Sequence, residues 1–306
     1  MPAAPLPAAP LPAESEARRW PDEALAKDLA RLRETNPLTH CLTNLVVTGF
    51  TANVLLAVGA SPAMVIAAEE VADFAAVANG VLINVGTVTE PDARAMLTAA
   101  RAARDAGTPW VLDPVAVGAL RFRSDVAAQL LEFSPAVIRG NASEILALAG
   151  LSGGGKGVDS TAGSAEAVEA ARSLAGQTGA VVAISGEVDY VVAGDEVIGV
   201  AGGDPLLTKV TGSGCALGAL MAAFLGVADS PVDAAVTASA VFGAAGQLPK
   251  SGAPAAWPWR CSTSCTCSTR QSGRGDGARP GPRSCLAGPH SPGHQRQARI
   301  GAPLGE

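Results

Sequence analysis

Two glycines, Gly212 and Gly214, lie in a turn directly before an apolar stretch of helix length at residues 216–227. Glycines let backbone N–H groups approach a ligand, and the first turn of a helix offers unpaired N–H groups at the positive end of its dipole. The turn therefore predicts an anion site suited to a phosphate. The alternative is a glycine turn that lets the helix pack closely on a sheet. A dinucleotide-binding fingerprint fits poorly, because the spacing is G-x-G-x-x-x-G and the segment lies late in the chain.

Polar side chains also occur at the ends of several short apolar runs. In chain order they are Asn84, Asp113, Arg139 with Asn141, and Ser185. In parallel α/β folds, ligands bind beyond the carboxyl ends of the strands, so these groups are candidates for holding one. Each of them alone could instead be an ordinary turn or helix-cap residue.

The apolar pattern predicts the elements that position these groups. Short buried strands are predicted at residues 63–66, 81–85, 110–112, 136–138 and 181–184, and helices at 22–34, 47–58, 69–79, 90–106, 125–133 and 165–178. Residues 190–193 and 196–200, joined by Gly194-Asp195, predict a hairpin. Alternating strands and helices are typical of an α/β fold with a largely parallel sheet covered by helices on both faces.

Two other features carry less weight. Residues 150–157 nearly match a phosphate-binding P-loop, but Gly157 replaces the Ser or Thr that would hold magnesium, and a helix rather than a strand precedes the segment. We interpret it as a flexible loop. His40, expected at the end of a short strand, is interpreted as structural because nothing pairs it with a nucleophile.

Composition excludes several classes of protein. The 306 residues allow one large domain or two small ones, and 48 % apolar content is too high for a disordered chain. A net charge of −6 argues against a nucleic-acid-binding surface. No apolar run is long enough for a membrane helix, and no secretory signal is recognisable. Residues 1–248 hold only two cysteines, Cys41 and Cys215, which indicates a reduced, cytoplasmic protein.

A series of short motifs then resembles one family in order and spacing. The motifs are Thr43-Asn44, Asn53, Gly59-Ala60-Ser61-Pro62-Ala63-Met64, Asn84-Val85-Gly86-Thr87, Asp113-Pro114-Val115, Arg139-Gly140-Asn141-Ala142-Ser143-Glu144, Lys156-Gly157-Val158-Asp159-Ser160, Ser185-Gly186-Glu187-Val188-Asp189, and residues 208–215. They resemble the hydroxyethylthiazole kinases, the thiamine-salvage branch of the ribokinase-like fold. The resemblance covers roughly residues 28–247.

The resemblance implies a reaction and a set of site residues. The reaction is ATP-dependent phosphorylation of 4-methyl-5-(2-hydroxyethyl)thiazole, in thiamine biosynthesis or salvage, by a homotrimer with sites between subunits. By resemblance, the thiazole residues are Met64, Gly212 and Asn44, and the ATP residues are Arg139, Ser185, Asn141 and Gly214. Ser185 stands where the family often has Thr, and the hydroxyl is kept. Asp113 and Glu144 would lie near Mg²⁺ and the phosphates, which suits carboxylates.

Cys215 occupies the position at which sugar kinases of this fold carry an aspartate base. A free thiol is mostly protonated at neutral pH, but a helix N-terminus favours the thiolate by roughly 0.3–1 kcal/mol and at most about 2. Cys215 is therefore predicted to be a weak base or a positioning group. The alternative is a small buried residue that caps the turn.

The last 58 residues differ abruptly from the rest. Residues 249–306 hold 8 Lys and Arg, 2 Asp and Glu, and four of the six cysteines. Prolines block a helix there, and the cysteines lack the paired spacing of a zinc site. Reading from the third base of the Pro249 codon allows Gly-Pro-Gly-Ser and an amphipathic helix, the ending that the resemblance implies. We therefore interpret residues 249–306 as an out-of-frame, disordered tail.

The sequence thus predicts a disordered Pro/Ala-rich arm at residues 1–19, a kinase domain at 20–248 and the tail. Two alternatives remain open at this point. The first is a kinase for another small alcohol such as a hydroxymethylpyrimidine, which Cys215, Asn44 and Met64 disfavour. The second is an inactive nucleotide-binding remnant, because the missing final helix would leave apolar surface uncovered.

Overall fold

The computed structural model describes residues 11–12, 14–150 and 164–247. The P-loop-like segment beyond Gly150 and the whole tail from residue 249 lie outside these ranges, so the predictions made for them are not addressed by the fold. No helix in the described ranges has both the length and the apolar character needed to cross a membrane.

The strands form a single eight-stranded sheet. They are β1 (Leu38–Leu42), β2 (Ser61–Ala63), β3 (Gly80–Asn84), β4 (Trp110–Asp113), β5 (Val137–Asn141), β6 (Val181–Ser185), β7 (Val188–Ala193) and β8 (Glu196–Ala201). The order across the sheet is β2-β1-β3-β4-β5-β6-β7-β8. Strands β1 to β6 pair in parallel, whereas β6–β7 and β7–β8 are antiparallel. The predicted hairpin is confirmed as β7–β8.

Helices cover both faces of this sheet. They are α1 (Glu23–Thr35), α2 (Thr48–Val58), α3 (Val71–Val77), α4 (Glu90–Ala106), α5 (Arg121–Leu131), α6 (Ala142–Leu148), α7 (Ser164–Thr178), α8 (Ser213–Leu225) and α9 (Pro231–Gly246). One apolar core joins α1, α2, α8 and α9 to the sheet, and a second joins α3, α4, α5 and α7. Neighbouring strand residues alternate between the cores: Leu82 and Val111 face the first, and Ile83 and Leu112 the second.

The prediction of a mostly parallel sheet covered on both faces is confirmed, but three local predictions are wrong. The run at 63–66 is not a strand, because β2 ends at Ala63 and the following residues form a loop. His40 lies in the middle of β1 rather than at its end. Helix α5 begins at Arg121 and ends at Leu131, four residues earlier at its start than predicted.

The arm expected to be disordered is in part attached to the sheet. The N–H of Arg18 donates to the carbonyl of Gly199 at 2.8 Å, and the N–H of Ala201 donates to the carbonyl of Arg18 at 3.0 Å. A short 3-10 helix precedes this contact at Glu14–Glu16. The expectation of disorder therefore does not hold for Glu14–Glu16, which form this helix, or for Arg18, which has backbone partners on β8.

Candidate active site

The polar residues singled out in the sequence meet at one edge of the sheet. Asn84 ends β3 and is the register partner of Asp113, which ends β4. Asn141 ends β5 and is the register partner of Ser185, which ends β6. Because these strands are parallel, their carboxyl ends coincide, and the side chains form one polar row.

The glycine turn begins α8 at the same edge. Gly212 is the N-cap residue with φ of 80°, in the left-handed region that favours glycine, and a Cβ there would overlap the side chain of Val47. No side chain of the described residues caps the helix that follows. The first turn of α8, which begins at Ser213, therefore presents backbone N–H groups at the positive end of the helix dipole.

A cavity of about 550 Å³ opens onto this helix start. One end is polar and is lined by Arg139, Ser185, Ser213 and Gly214. The rest carries apolar side chains from β8, α8, α9 and the segment before α8, which are Val200, Leu207, Leu217 and Phe242. Polar side chains also line it, namely Glu187, Asp189, Asp204, Thr208 and Ser239. The cavity thus joins an anion site to a partly apolar compartment, which is the arrangement that a nucleotide needs.

Arg139 is the cationic group of the polar end. It is almost buried, and its Nε and Nη2 atoms donate to Ser185 Oγ at 3.2 and 2.8 Å. Its Nη1 lies 3.7 Å from Asp113 Oδ1. These contacts hold the planar guanidinium against Gly214 at the start of α8, where it can bind phosphate oxygens in a forked geometry.

Asp113 is a fully buried carboxyl group. Burial raises its pKa to about 7, and the nearby Arg139 guanidinium opposes that shift. Its Oδ2 accepts a hydrogen bond from Asn84 Nδ2 at 2.6 Å. Its Oδ1 has no hydrogen-bond partner among the described residues, which leaves a buried acceptor directed at the polar end of the site.

Glu144 and Asn141 form a capping box at the start of α6. Asn141 Oδ1 accepts from the N–H of Glu144, and Glu144 Oε2 accepts from the N–H of Asn141, both at 2.9 Å. Glu144 Oε1 accepts from the N–H of Ala116 at 2.8 Å. The Glu144 carboxylate is therefore held rigidly, and each oxygen keeps a lone pair for a further ligand.

The donor set fits magnesium. No group of three or more metal-ligating side chains occurs among the described residues. Mg²⁺ does not require one, because it keeps several waters and takes one or two carboxylates together with phosphate oxygens. Asp113 Oδ1, which lacks a hydrogen bond among the described residues, and the fixed carboxylate of Glu144 could supply those two ligands.

Cys215 is in the first turn of α8 and is half-buried. Asn44 Nδ2 donates to its Sγ at 3.3 Å. Burial raises the pKa of the thiol, and the nearby Asp113 carboxylate raises it further. Burial therefore opposes the stabilisation of the thiolate that is expected from the helix dipole.

The residues expected at the alcohol are less closely grouped. Asn44 is buried two positions beyond β1, and Met64 follows β2 directly, half-buried against the core of α1, α2, α8 and α9. A cavity of only about 20 Å³ lies beside Asn44, lined also by Ile66 and Thr87. That volume holds about one water and not a heteroaromatic ring.

Comparison with known proteins identifies the family. A family model described as the hydroxyethylthiazole kinase family matches residues 29–256. The hydroxyethylthiazole kinase of Leptospira interrogans is 62 % identical over 229 residues, covering 75 % of this chain and 86 % of the relative. That of Escherichia coli is 58 % identical over 198 residues, covering 65 % and 76 %.

The chain belongs to the hydroxyethylthiazole kinase family.

Solved structures agree with this assignment. The hydroxyethylthiazole kinase of Pyrococcus horikoshii matches with a TM-score of 0.71 and 37 % identity, covering 79 % of this chain and 92 % of that one. A ribokinase-like superfamily protein from Enterococcus faecalis matches with a TM-score of 0.55 at 12 % identity, covering 82 % and 92 %, which concerns the fold alone. The ribokinase-like fold and the kinase family implied by the sequence motifs are confirmed.

Two polar groups of this family member have no role assigned by the sequence motifs. Asn84 is predicted only as one of several strand-end candidates, and it contacts both Asn44 and Asp113. Asp189 lines the large cavity, and its Oδ1 accepts from the N–H of Gly186 at 3.0 Å. The signal that could have identified both was their place inside the quoted motifs at the carboxyl edge of the sheet.

Proposed function

We propose that this enzyme transfers the γ-phosphoryl group of ATP to the hydroxyl of 4-methyl-5-(2-hydroxyethyl)thiazole. The family assignment supports the substrate pair. The observation that carries the proposal is the cavity of about 550 Å³ that reaches both the open start of α8 and the Arg139 guanidinium. The cavity has room for a nucleotide, and the turn is not sealed by neighbouring side chains.

ATP lies along that cavity. Its phosphates reach the backbone N–H groups of Gly214 and Cys215 and the fork of Arg139, while its base packs among Val200, Leu207 and Phe242. Ser185 holds Arg139 through two hydrogen bonds, and Asn141 fixes the neighbouring Glu144. Phosphoryl transfer depends on positioning and charge neutralisation, which these groups supply.

Asp113 and Glu144 hold magnesium in this proposal. When bound, Mg²⁺ neutralises charge on the phosphate oxygens. The support lies in the chemistry of the two carboxylates: one has an unpartnered buried oxygen, and the other is fixed by two backbone N–H groups.

The alcohol lies on the other side of Cys215, near Asn44, Gly212 and Met64. The hydroxyl faces the phosphoryl group at the start of α8, and Cys215 positions it. A primary alcohol that attacks a loose transition state needs little prior deprotonation, so a thiol with a raised pKa is compatible with the reaction.

The active form in this proposal is a homotrimer, acting in the cytoplasm. Leu45 and Val46 directly follow Asn44 and are 75 % and 67 % exposed, and Ile66, which is 49 % exposed, lines the small cavity beside Asn44. The small cavity beside Asn44 is too small for the thiazole in one subunit, which supports a site completed by a neighbouring copy. Light scattering measures the mass; a monomer that turns over the alcohol would contradict this assembly.

A coupled ADP-release assay tests the function. We expect turnover with the thiazole alcohol and Mg-ATP, and at least about a hundredfold lower kcat/KM with the hydroxymethylpyrimidine. The reverse preference would assign the other alcohol. No turnover with either, while ATP still raises the melting temperature, would indicate the inactive remnant.

A further inference from the structure

The amide of Asn84 is the centre of a buried row of polar side chains that runs from Asp113 to Cys215. Its Nδ2 donates to Asp113 Oδ2 at 2.6 Å, and its Oδ1 accepts from Asn44 Nδ2 at 3.0 Å. Asn44 Nδ2 in turn lies 3.3 Å from Cys215 Sγ. Asn84 and Asp113 are completely buried, and Asn44 is nearly so.

One backbone group determines the direction of every hydrogen bond in this row. The N–H of Gly86 lies 3.0 Å from Asn84 Oδ1, and a backbone N–H can only donate. The carbonyl end of the Asn84 amide must therefore face Gly86, which turns its NH₂ end toward the acceptor Oδ2 of Asp113. Asn44 must then present its own NH₂ to Asn84.

The close approach depends on glycine at position 86. A Cβ there would lie 2.8 Å from Asn44 Cβ and 2.9 Å from both Asn44 Nδ2 and Asn84 Oδ1. Any other residue would push the two amides apart. The hydrogen bonds between Asn44 and Asn84 therefore depend on glycine at position 86.

This direction decides which atoms are left for the reactants. Asn44 has committed its NH₂ to Asn84 and Cys215, so its Oδ1 remains as the acceptor. Asp113 accepts the Asn84 hydrogen bond with Oδ2, so its Oδ1 faces Arg139, 3.7 Å from Nη1. The two remaining oxygens belong to the alcohol end and the phosphate end of the site.

We propose that Asn84 is a positioning residue for phosphoryl transfer. It turns Asn44 Oδ1 to accept the hydrogen bond of the substrate hydroxyl, and it holds Asp113 with Oδ1 toward the transferring phosphoryl group. The inference rests on the proposed function. The competing interpretation is a buried amide that only joins β3 to β4.

Two variants separate the contact of Asn84 with Asp113 from its contacts with Asn44 and Gly86. Asn84→Asp keeps an oxygen for Gly86 and Asn44 but places two carboxyl groups at hydrogen-bond distance from each other. We expect it to bind the thiazole alcohol within about threefold of wild type and to lose at least about tenfold in kcat. Asn84→Ala removes all three contacts, so the alcohol dissociation constant should rise by at least about tenfold as well.

Asn79→Ala is the matched control. Asn79 Oδ1 accepts from the N–H of Leu38 at 2.8 Å, at the opposite edge of the sheet. It joins strand to strand without approaching the site, so its loss should lower the melting temperature and leave kcat and both dissociation constants within about twofold. ATP binding, followed by calorimetry, should be within about twofold of wild type in all three variants.

The inference is overturned if folded, ATP-binding Asn84 variants match wild type in kcat and alcohol binding, or if they change only as Asn79→Ala does. If neither single variant folds, Asn84→Asp with Asp113→Asn restores a donor facing an acceptor. That pair should bind the alcohol as wild type does, and weakened binding would overturn the inference. A wild-type chain that fails to phosphorylate the thiazole alcohol counts against the proposed function instead.

Discussion

Gly214 lies directly against the guanidinium of Arg139. A Cβ at residue 214 would be 2.6 Å from both Nη1 and Nη2, closer than any carbon and nitrogen can pack. The glycine thus allows the helix start and the cation to approach the same phosphate, and the two features recognised separately in the sequence form one anion site.

Gly214→Ala should therefore weaken ATP binding. Overpacking of this kind costs about 1–3 kcal/mol, which corresponds to roughly a 5- to 150-fold higher dissociation constant measured by calorimetry. Gly176→Ala is the control, because Gly176 lies inside α7 with nothing within 4 Å of the added carbon. It should bind ATP normally and melt at the same or a higher temperature. Equal ATP affinity in the two variants would contradict the proposed phosphate site.

Arg139→Lys tests the forked geometry of the cation. Lysine keeps the charge but cannot donate twice to Ser185 while facing phosphate. Loss of a hydrogen bond to a charged group costs about 1.5–3 kcal/mol, so kcat/KM for ATP should fall roughly 10- to 150-fold. The control is Arg123→Lys, since Arg123 donates to the carbonyl of Val115 at 3.1 Å. If both variants keep normal kinetics, Arg139 is not a phosphate ligand.

Cys215→Ala distinguishes a base from a positioning group. A general base contributes typically about 10²–10⁴ in rate. Burial raises the pKa of this thiol, which works against its acting as a base at neutral pH. We expect kcat to fall less than about tenfold in both Cys215→Ala and Cys215→Ser between pH 7 and 8. A loss of a hundredfold or more in both would restore the base role.

The buried carboxyl of Asp28 should make stability depend on pH. Asp28 Oδ2 accepts from Thr237 Oγ1 at 3.1 Å between α1 and α9, and burial raises its pKa above the ordinary 3.8. The folded state therefore binds this proton more tightly than the unfolded state, so this group's contribution to stability falls as pH rises above 3.8. Asp28→Asn keeps the acceptor without the charge.

The melting temperature of Asp28→Asn should exceed that of wild type at pH 7.5, and the difference should shrink toward pH 4. Asp195→Asn is the control, since the side chain of Asp195 is fully exposed. A difference that is independent of pH would show that Asp28 does not titrate with folding.

The ending of the chain is also open to test. We propose that residues 249–306 are out of frame, supported by the abrupt change in charge and cysteine content. A chain carrying the alternative reading from Pro249 should melt higher and turn over faster than the printed chain. Resequencing of the DNA checks the frame, and tail peptides found by mass spectrometry in native cells would refute a sequencing error.

The arrangement of strands and helices could be predicted where the apolar pattern of the sequence repeats. The alternation of Ala-rich helices with short apolar runs predicts the parallel sheet, and helix α4 has the predicted bounds of residues 90–106. The strand predicted at 63–66 failed for a tertiary reason. The apolar run looks like a strand, but the pairing of β2 with β1 ends at Ala63. The carbonyl of Val65 instead forms a hydrogen bond with His40 Nε2 at 2.8 Å.

The orientation of the site's side chains could not be predicted from the sequence. Asn84 and Asp113 could be placed at the ends of strands, but the donor that directs their amide and carboxyl is the N–H of Gly86, a backbone group with no sequence signature. The thiol of Cys215 shows the same limit. Its position near a helix start was predictable, whereas the desolvation that raises its pKa depends on how α2 and α8 pack.

Strand β8 is the last in the sheet, and Arg18 occupies its outer hydrogen-bonding side. Unpaired strand edges join those of other molecules readily, and Arg18 covers two of the backbone groups on this edge. Recombinant chains that start after residue 20 lack Arg18, so we expect them to precipitate on concentration more readily than chains that retain it.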